Sequence, residues 1–339
     1  MLPESATRSG GRDAEIMTDE PIATEATDEP IATEAGVCAL CGSNQGKPFA
    51  RGFDFEYLTT RTEFTFWRCD CGGAFLSPRP APEALGRIYP SNYYSYDFGN
   101  KLGPAVMRFK AFAERAKVRA YEPYLSAGAR VLDVGCGDGH VLGQIRDAVS
   151  LPLELEGLEF SDNAIRAAES AGFRVYRGRI EDAVLPSDTF DLIIMNQLIE
   201  HVREPREVLE EIARALKPGG HVFLETPNID SVDARLFRRR YWGGYHLPRH
   251  FHLFDARSLA RLVEKAGLEK VLHRPLVCPQ FWIISVQNWL KDRGAVRFAD
   301  RFVSPFNPLL LAPATLVEMV HQRIWWTSNQ QLVARRPVG

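Results

Sequence analysis

Apolar residues fall in two rhythms along the second half of this chain, and the rhythms alternate. Val131–Val134 and Leu192–Met195 are short, dense apolar runs, the pattern of strands buried on both faces. Between such runs, apolar positions recur every three or four residues, as on one face of a helix. Strands are expected at 129–134, 153–159, 173–177, 190–195, 221–226 and 268–274, with helices at 140–148, 162–171, 204–216 and 256–266. Ser161 and Asp255 stand at helix N-cap positions, while Lys217-Pro218-Gly219-Gly220 and Gly267 are stop signals. Strands alternating with helices predict an α/β fold, a doubly wound and mostly parallel sheet covered on both faces.

The first part of the chain reads differently. Residues 18–26 and 27–35 carry the same acidic nonapeptide, TDEPIATEA, so 1–36 is expected to be a disordered repeat tail. From Val37 to Pro82 a small module is expected. Phe64-Thr65-Phe66-Trp67-Arg68 alternates as a strand does, and Ser77-Pro78-Arg79-Pro80-Ala81-Pro82 marks a rigid connector. Residues 83–128 hold a tyrosine-rich loop (Tyr89, Tyr93, Tyr94, Tyr96) and a helical pattern from about 104 to 125. The core is assigned to 129–275. An apolar insertion follows at 276–325, then a final strand and tail at 326–339. Phe281, Trp282, Trp289 and the run Pro308–Pro313 make that insertion too apolar for a solvated loop. It is expected to be covered, over the cleft or against a second subunit, with contact to a membrane surface as the alternative.

Charge and cysteine content narrow the class. The net charge over 339 residues is −2, so nothing points to a nucleic-acid partner. Nothing at the N-terminus reads as a signal peptide and no apolar run is long enough to span a bilayer. Six cysteines without a secretion signal imply a reducing compartment, hence a cytoplasmic location. Cys38 and Cys41 form a CxxC before Gly42, and Cys69 and Cys71 a CxC before Gly72. Two tight thiol pairs on either side of a hairpin match an all-thiolate structural zinc site in a zinc-ribbon-like module. The oligomeric state is not fixed by the sequence.

The densest chemistry follows the first core strand, where Asp133 leads into Gly135, Gly137 and Gly139. Alternate glycines between a strand and a helix let backbone approach a ligand closely. His140 stands where a dinucleotide fingerprint needs glycine, which argues against a nicotinamide-dependent oxidoreductase. At the end of the second strand, Glu159 is placed to accept two ribose hydroxyls. A loop with His246, His250 and His252 follows the fifth strand and should overhang the cleft. His250 is the preferred proton acceptor there, and zinc binding by these three histidines is a further option.

Val131-Leu132-Asp133-Val134-Gly135-Cys136-Gly137-Asp138-Gly139 closely resembles motif I of the class I S-adenosylmethionine-dependent methyltransferases. The resemblance implies a Rossmann-like sheet with an antiparallel last strand, here 330–334, and S-adenosylmethionine as cofactor. It assigns Asp133 and the glycines to the methionyl part, Glu159 to the ribose, Ile180 and Glu181 to the adenine side, and adds Asn196 to the cofactor residues. Asn196-Gln197-Leu198-Ile199-Glu200-His201, Lys217–Gly220 and Glu225–Asn228 resemble the branch containing the ubiquinone-biosynthesis O-methyltransferases. That branch places Glu200 and His201 at the cleft, making His201 a second catalytic candidate. It has a carboxylate where this chain has Gln197, which counts against a metal there. The cysteine module resembles that of some sugar C-methyltransferases, although their long C-terminal domain is lacking. The implied activity is methylation of a small-molecule acceptor, a sugar or other biosynthetic intermediate, at oxygen or carbon. A zinc-ribbon interaction protein on an inactive fold is the remaining alternative.

Overall fold

The computed structural model describes residues 29–90 and 117–338. The expected tyrosines Tyr93, Tyr94 and Tyr96, most of the 104–125 helix and the bulk of the acidic repeat lie outside the described residues. Its N-terminal part holds β1 (Thr33–Glu34), β2 (Lys47–Gly52), β3 (Phe64–Arg68), β4 (Ala74–Leu76), β5 (Arg79–Pro80) and the single turn α1 (Leu85–Ile88). The core then runs β6 (Arg130–Val134), α2 (His140–Ala148), β7 (Glu154–Glu159), α3 (Asp162–Ser170), β8 (Arg174–Arg177), β9 (Phe190–Asn196), α4 (Pro205–Ala215) and β10 (Leu216–Pro227). After it come α5 (Val232–Leu236), β11 (His252–Leu253), α6 (Ala256–Lys265), β12 (Glu269–Leu276), α7 (Gln280–Lys291), α8 (Val296–Phe302), α9 (Pro308–Ile324) and β13 (Asn329–Arg335).

Seven strands form the main sheet in the order β12-β13-β10-β9-β6-β7-β8. The pairs from β10 to β8 are parallel, and β13 is antiparallel to both of its neighbours. Strand order reverses between β6 and β9. Loops leaving the carboxyl ends of these two strands therefore diverge, which opens the cleft of a doubly wound sheet. Val131, Leu132, Leu192, Ile193, Ile194, Val222 and Leu224 are buried, as central strands covered on both faces require. The elements match the pattern-based expectation to within a few residues. Asp255 caps α6 in a reciprocal box with Ser258, whereas Ser161 sits at the α3 N-cap without accepting a capping bond.

Three expectations change. Residues 29–36 belong to the folded part and not to the tail, because Ile31 is buried and Glu34 reaches both Arg79 and Arg203. The cysteine module is not self-contained either. Its sheet, β11-β4-β3-β2, takes its last strand from residues 252–253, which satisfies the open edge of β4. Lastly, the 276–325 insertion is three helices, and only part of it is covered. α7 packs against the 243–245 turn, where Gly243 has no room for a Cβ beside Ile284 and Phe281. α9 leaves Leu309, Leu316 and Val320 exposed. Pro308 stands in its first turn and Pro313 inside it, so the prolines did not prevent a helix.

Candidate functional site

The cofactor half of the cleft is built by the ends of β6, β7 and β9. Gly135, Gly137 and Gly139 all have positive φ (76°, 56° and 84°), so the chain turns tightly before α2. A Cβ on Gly139 would stand 2.7 Å from the Phe173 ring, so glycine is needed for packing as well as for conformation. Glu159 is buried at the end of β7 and braces this loop. Its Oε2 accepts from Gly137 N at 3.1 Å, and its Oε1 from Phe160 N at 2.8 Å and Ser161 N at 2.9 Å. Phe160, the next residue, is 61% exposed at the mouth of the loop, a flat surface that the sequence reading did not single out.

Asp133 is buried below the glycines, and burial raises its carboxyl pKa to about 7, with Glu159 adding to the rise and Lys117 opposing it. Two buried polar atoms near the strand ends, Tyr121 OH and Asn196 Oδ1, lack a well-formed hydrogen bond among the described residues, although the Asn196 side chain lies close to Tyr121. Lys117 pairs with Glu225 at 2.6 Å, and Gln331 donates to the other oxygen of the same carboxylate at 2.8 Å. Orphaned polar atoms beside a proton-retaining carboxylate are costly in a dry pocket, and a ligand carrying both donors and acceptors relieves them. The residues present therefore fit the amino-acid end of S-adenosylmethionine. Lys117 and Tyr121 are not singled out in the sequence, although the resemblance implies that the lead-in stretch 83–128 that holds them carries a cofactor-capping helix. Ile180 is buried, and the Glu181 carboxylate is engaged by the Arg179 guanidinium at 3.0 Å and the Arg203 backbone N–H at 2.9 Å.

The acceptor half forms where the loop after β9 meets the histidine loop. Glu200 is fully buried. Its Oε2 accepts from Thr226 Oγ1 at 2.9 Å, while Oε1 has no hydrogen-bond partner among the described residues and lies 3.9 Å from His250 Nε2. Burial lifts the Glu200 pKa to about 8, and lowers that of His201 to about 3. His250 Nδ1 is 2.9 Å from the Gly244 carbonyl, and His201 Nδ1 is 3.1 Å from the Arg249 carbonyl. A carbonyl only accepts, so the His250 ring carries its proton on Nδ1 and presents its Nε2 lone pair, while His201 Nδ1 is shared between its carbonyl and the Tyr89 hydroxyl at 3.1 Å. One ligand atom from each of Glu200, His201 and His250 falls within 4.8 Å of the others. Histidines fixed through Nδ1–H by carbonyls are the usual support of metal ligands. Gln197 does not join them, because its amide donates to Asn329 at 3.1 Å.

His252 does not belong to this cluster, contrary to the three-histidine option. It turns away to the Arg203 carbonyl at 3.1 Å, and His201 takes its place, with its ring centroid 4.5 Å from that of His250. Side chains from the N-terminal part reach the histidine loop and His201. Asp54 pairs with the buried Arg249 at 2.8 Å, Glu56 lies 2.8 Å from His246 Nδ1, and Tyr89 OH lies 3.1 Å from His201 Nδ1.

Elsewhere, the four sulfurs of Cys38, Cys41, Cys69 and Cys71 converge to within 4.8 Å, with Cys38–Cys71 at 3.4 Å and Cys41–Cys69 at 3.5 Å. Tetrahedral zinc with bonds near 2.3 Å needs sulfurs about 3.8 Å apart, so the set fits that ion. A Cβ on Gly73 would stand 2.5 Å from Cys38 Sγ, which keeps that position small.

Comparison with known proteins identifies the family. Residues 107–273 match a family model described as a methyltransferase domain. A ubiquinone biosynthesis O-methyltransferase of Ralstonia nicotianae is 35% identical over 165 residues, 44% of this chain and 67% of that protein. The chain belongs to the class I S-adenosylmethionine-dependent methyltransferases. A demethylmenaquinone methyltransferase of Lysinibacillus sphaericus is 29% identical over 216 residues, 57% of this methyltransferase and 90% of the relative. A solved S-adenosylmethionine-dependent methyltransferase from Thermotoga maritima aligns with a TM-score of 0.47 at 18% identity, covering 74% of this chain and 98% of that one. The family model and the curated relatives give this chain methyl transfer from S-adenosylmethionine to a small molecule, and the oxidoreductase alternative is not favoured.

Proposed function

We propose that the protein methylates a hydroxyl group of a small acceptor, and that Glu200, His201 and His250 hold this hydroxyl through a divalent cation. The observation that carries the reading is the buried Glu200 Oε1, which has no hydrogen-bond partner among the described residues and lies 3.9 Å from His250 Nε2. A cation bound by one carboxylate oxygen and two imidazoles would lower the pKa of a coordinated hydroxyl and readies it as a nucleophile. Burial disfavours an imidazolium at either histidine, so a general-base role for His250 or His201 alone is less well supported.

Bound S-adenosylmethionine supplies a sulfonium methyl group open to in-line displacement. Asp133, Tyr121 and Asn196 hold its amino-acid end, Glu159 its ribose, and Ile180 and Glu181 border the adenine side. The glycine loop excludes water behind the methyl group, and the 53–57 loop does so over the acceptor. Similarity to proteins named ubiquinone biosynthesis O-methyltransferase supports a hydroxyl as acceptor. Cys38, Cys41, Cys69 and Cys71 are assigned a structural zinc, which suits a reducing compartment such as the cytoplasm.

The test is methyl transfer from labelled S-adenosylmethionine to a panel of catechols, hydroquinones and nucleotide-linked sugars, before and after chelation and readdition of magnesium, manganese or zinc. Transfer to a hydroxyl that chelation abolishes in wild type, and that His250→Ala removes without loss of S-adenosylhomocysteine binding, is expected. Turnover unaffected by chelation would overturn the cation, and transfer to carbon alone would overturn the acceptor class.

A further inference from the structure

α9 is turned inside out. Its only fully buried residue is Glu318, whose carboxylate accepts from Trp282 Nε1 at 2.9 Å and from Cys278 N at 3.3 Å. The opposite face carries Leu309, Leu316, Val320 and Ile324, exposed by 81%, 64%, 51% and 72%, with Pro313 on the same stripe. Positions 309, 313, 316, 320 and 324 repeat at helical spacing, so they form one continuous band. Phe298 and Phe302 on α8 and Trp325 after α9 enlarge the apolar surface, each about half exposed. An ordinary surface helix buries such a band and shows its carboxylate to water. A patch of this kind marks a docking face.

Its surroundings say what docks there. Arg235 lies over the Trp325 ring at 5.4 Å, Arg293 over Trp289 at 4.2 Å and Arg301 over Phe302 at 5.8 Å. Arg235, Arg238, Arg239 and Trp289 line an open recess of ≈ 600 Å³ beside α5. Arg238 and Arg239 are exposed, and neither pairs with a carboxylate among the described residues. The neighbouring acids are already engaged: Asp292 by Arg240 and Tyr241, Asp230 by Arg235, and Asp300 by Lys291. A second copy of this face would set arginines against arginines across a two-fold axis, which is unfavourable. Apolar and aromatic side chains bordered by arginines, of which Arg238 and Arg239 face no carboxylate among the described residues, complement an anionic bilayer, where acyl chains take the band and headgroups take the guanidinium groups. No helix among the described residues is long and apolar enough to cross a membrane, so α9 would lie in the interface plane.

We propose that α9, with the aromatic residues of α8 and the arginines around them, docks the full chain onto anionic lipid surfaces. This docking does not depend on the identity of the methyl acceptor. The test is flotation of the full-length protein with vesicles of phosphatidylcholine alone and of phosphatidylcholine mixed with phosphatidylglycerol. The protein should float with the mixed vesicles, and raised salt should weaken the association. R238E/R239E should lower partitioning by at least roughly 25-fold, about fivefold for each basic residue lost. L316E/V320E should abolish it, while both variants bind S-adenosylhomocysteine as wild type does, showing an intact fold. Wild-type protein that stays at the bottom with anionic vesicles would overturn the proposal. So would a dimer in light scattering that L316E/V320E splits into monomers, since the face would then belong to a second copy.

Discussion

Replacing Glu159 by alanine separates two tasks of one carboxylate. In the structure both oxygens are occupied, by Phe160 N at 2.8 Å, Ser161 N at 2.9 Å and Gly137 N at 3.1 Å. Deletion frees these backbone donors, but Phe160 is 61% exposed and water can reach the turn. The folding cost should therefore sit near the low end for lost hydrogen bonds, about 1 kcal/mol. Binding should suffer more. Ribose hydroxyls drawn out of water without their acceptor cost about 1–3 kcal/mol, a loss of roughly 5- to 150-fold in affinity. Titration calorimetry with S-adenosylhomocysteine reads the second quantity, and a thermal melt of the ligand-free protein reads the first. Glu159→Gln, which keeps one acceptor oxygen, should fall between wild type and alanine in affinity. An alanine variant with a lowered melting temperature but an unchanged dissociation constant would refute the ribose assignment and leave Glu159 as a brace for the loop.

Three further outcomes are expected. Asp133 has a pKa raised to about 7 by burial, with Glu159, Lys117 and His140 as the charged groups around it, and a ligand ammonium favours its ionised form. Affinity for S-adenosylhomocysteine should rise with pH through about 7 in wild type and stay flatter in Asp133→Asn, by calorimetry at several pH values. The same shift makes ligand-free protein less stable as pH climbs from about 4 to about 7, because the folded state keeps the proton longer than the unfolded chain does. Protein purified under reducing conditions should carry one zinc per chain by elemental analysis, and chelation or Cys38→Ser should lower its melting temperature. Burial alone would push the Asp54 pKa up, and the Arg249 guanidinium more than reverses this, so Asp54→Ala should cost about 3–5 kcal/mol in denaturant titrations by stranding a buried charge.

The cofactor half of the cleft was legible because its parts are local. A strand-end acid, alternate glycines and a second strand-end acid sit within one βαβ unit, and the resemblance to motif I implies the role of each. The acceptor half depends on contacts that no spacing encodes. His201 and His250 meet through the packing of separate loops, whereas His252, two residues from His250, lies in β11 paired to β4 and turns to the Arg203 carbonyl. Asp54 and Glu56 reach the histidine loop from a module that reads as independent in one dimension. The apolar density of 276–325 was also plain in the sequence. Its orientation was not, because Glu318 is fixed inward by Trp282, a residue on another helix.

The joining of β11 to β4 bears on how the chain is made. Phe75 pairs with His252, so the cysteine sheet cannot be completed until most of the polypeptide has left the ribosome. During that interval the β4 edge offers unpaired backbone groups to any passing strand. Thiolates gathered early by a metal ion would hold the β2–β3–β4 hairpins in register while the rest of the chain is synthesised. A chain cut before residue 252 should accordingly be prone to aggregate even with metal bound, and adding the remainder as a separate fragment should rescue it.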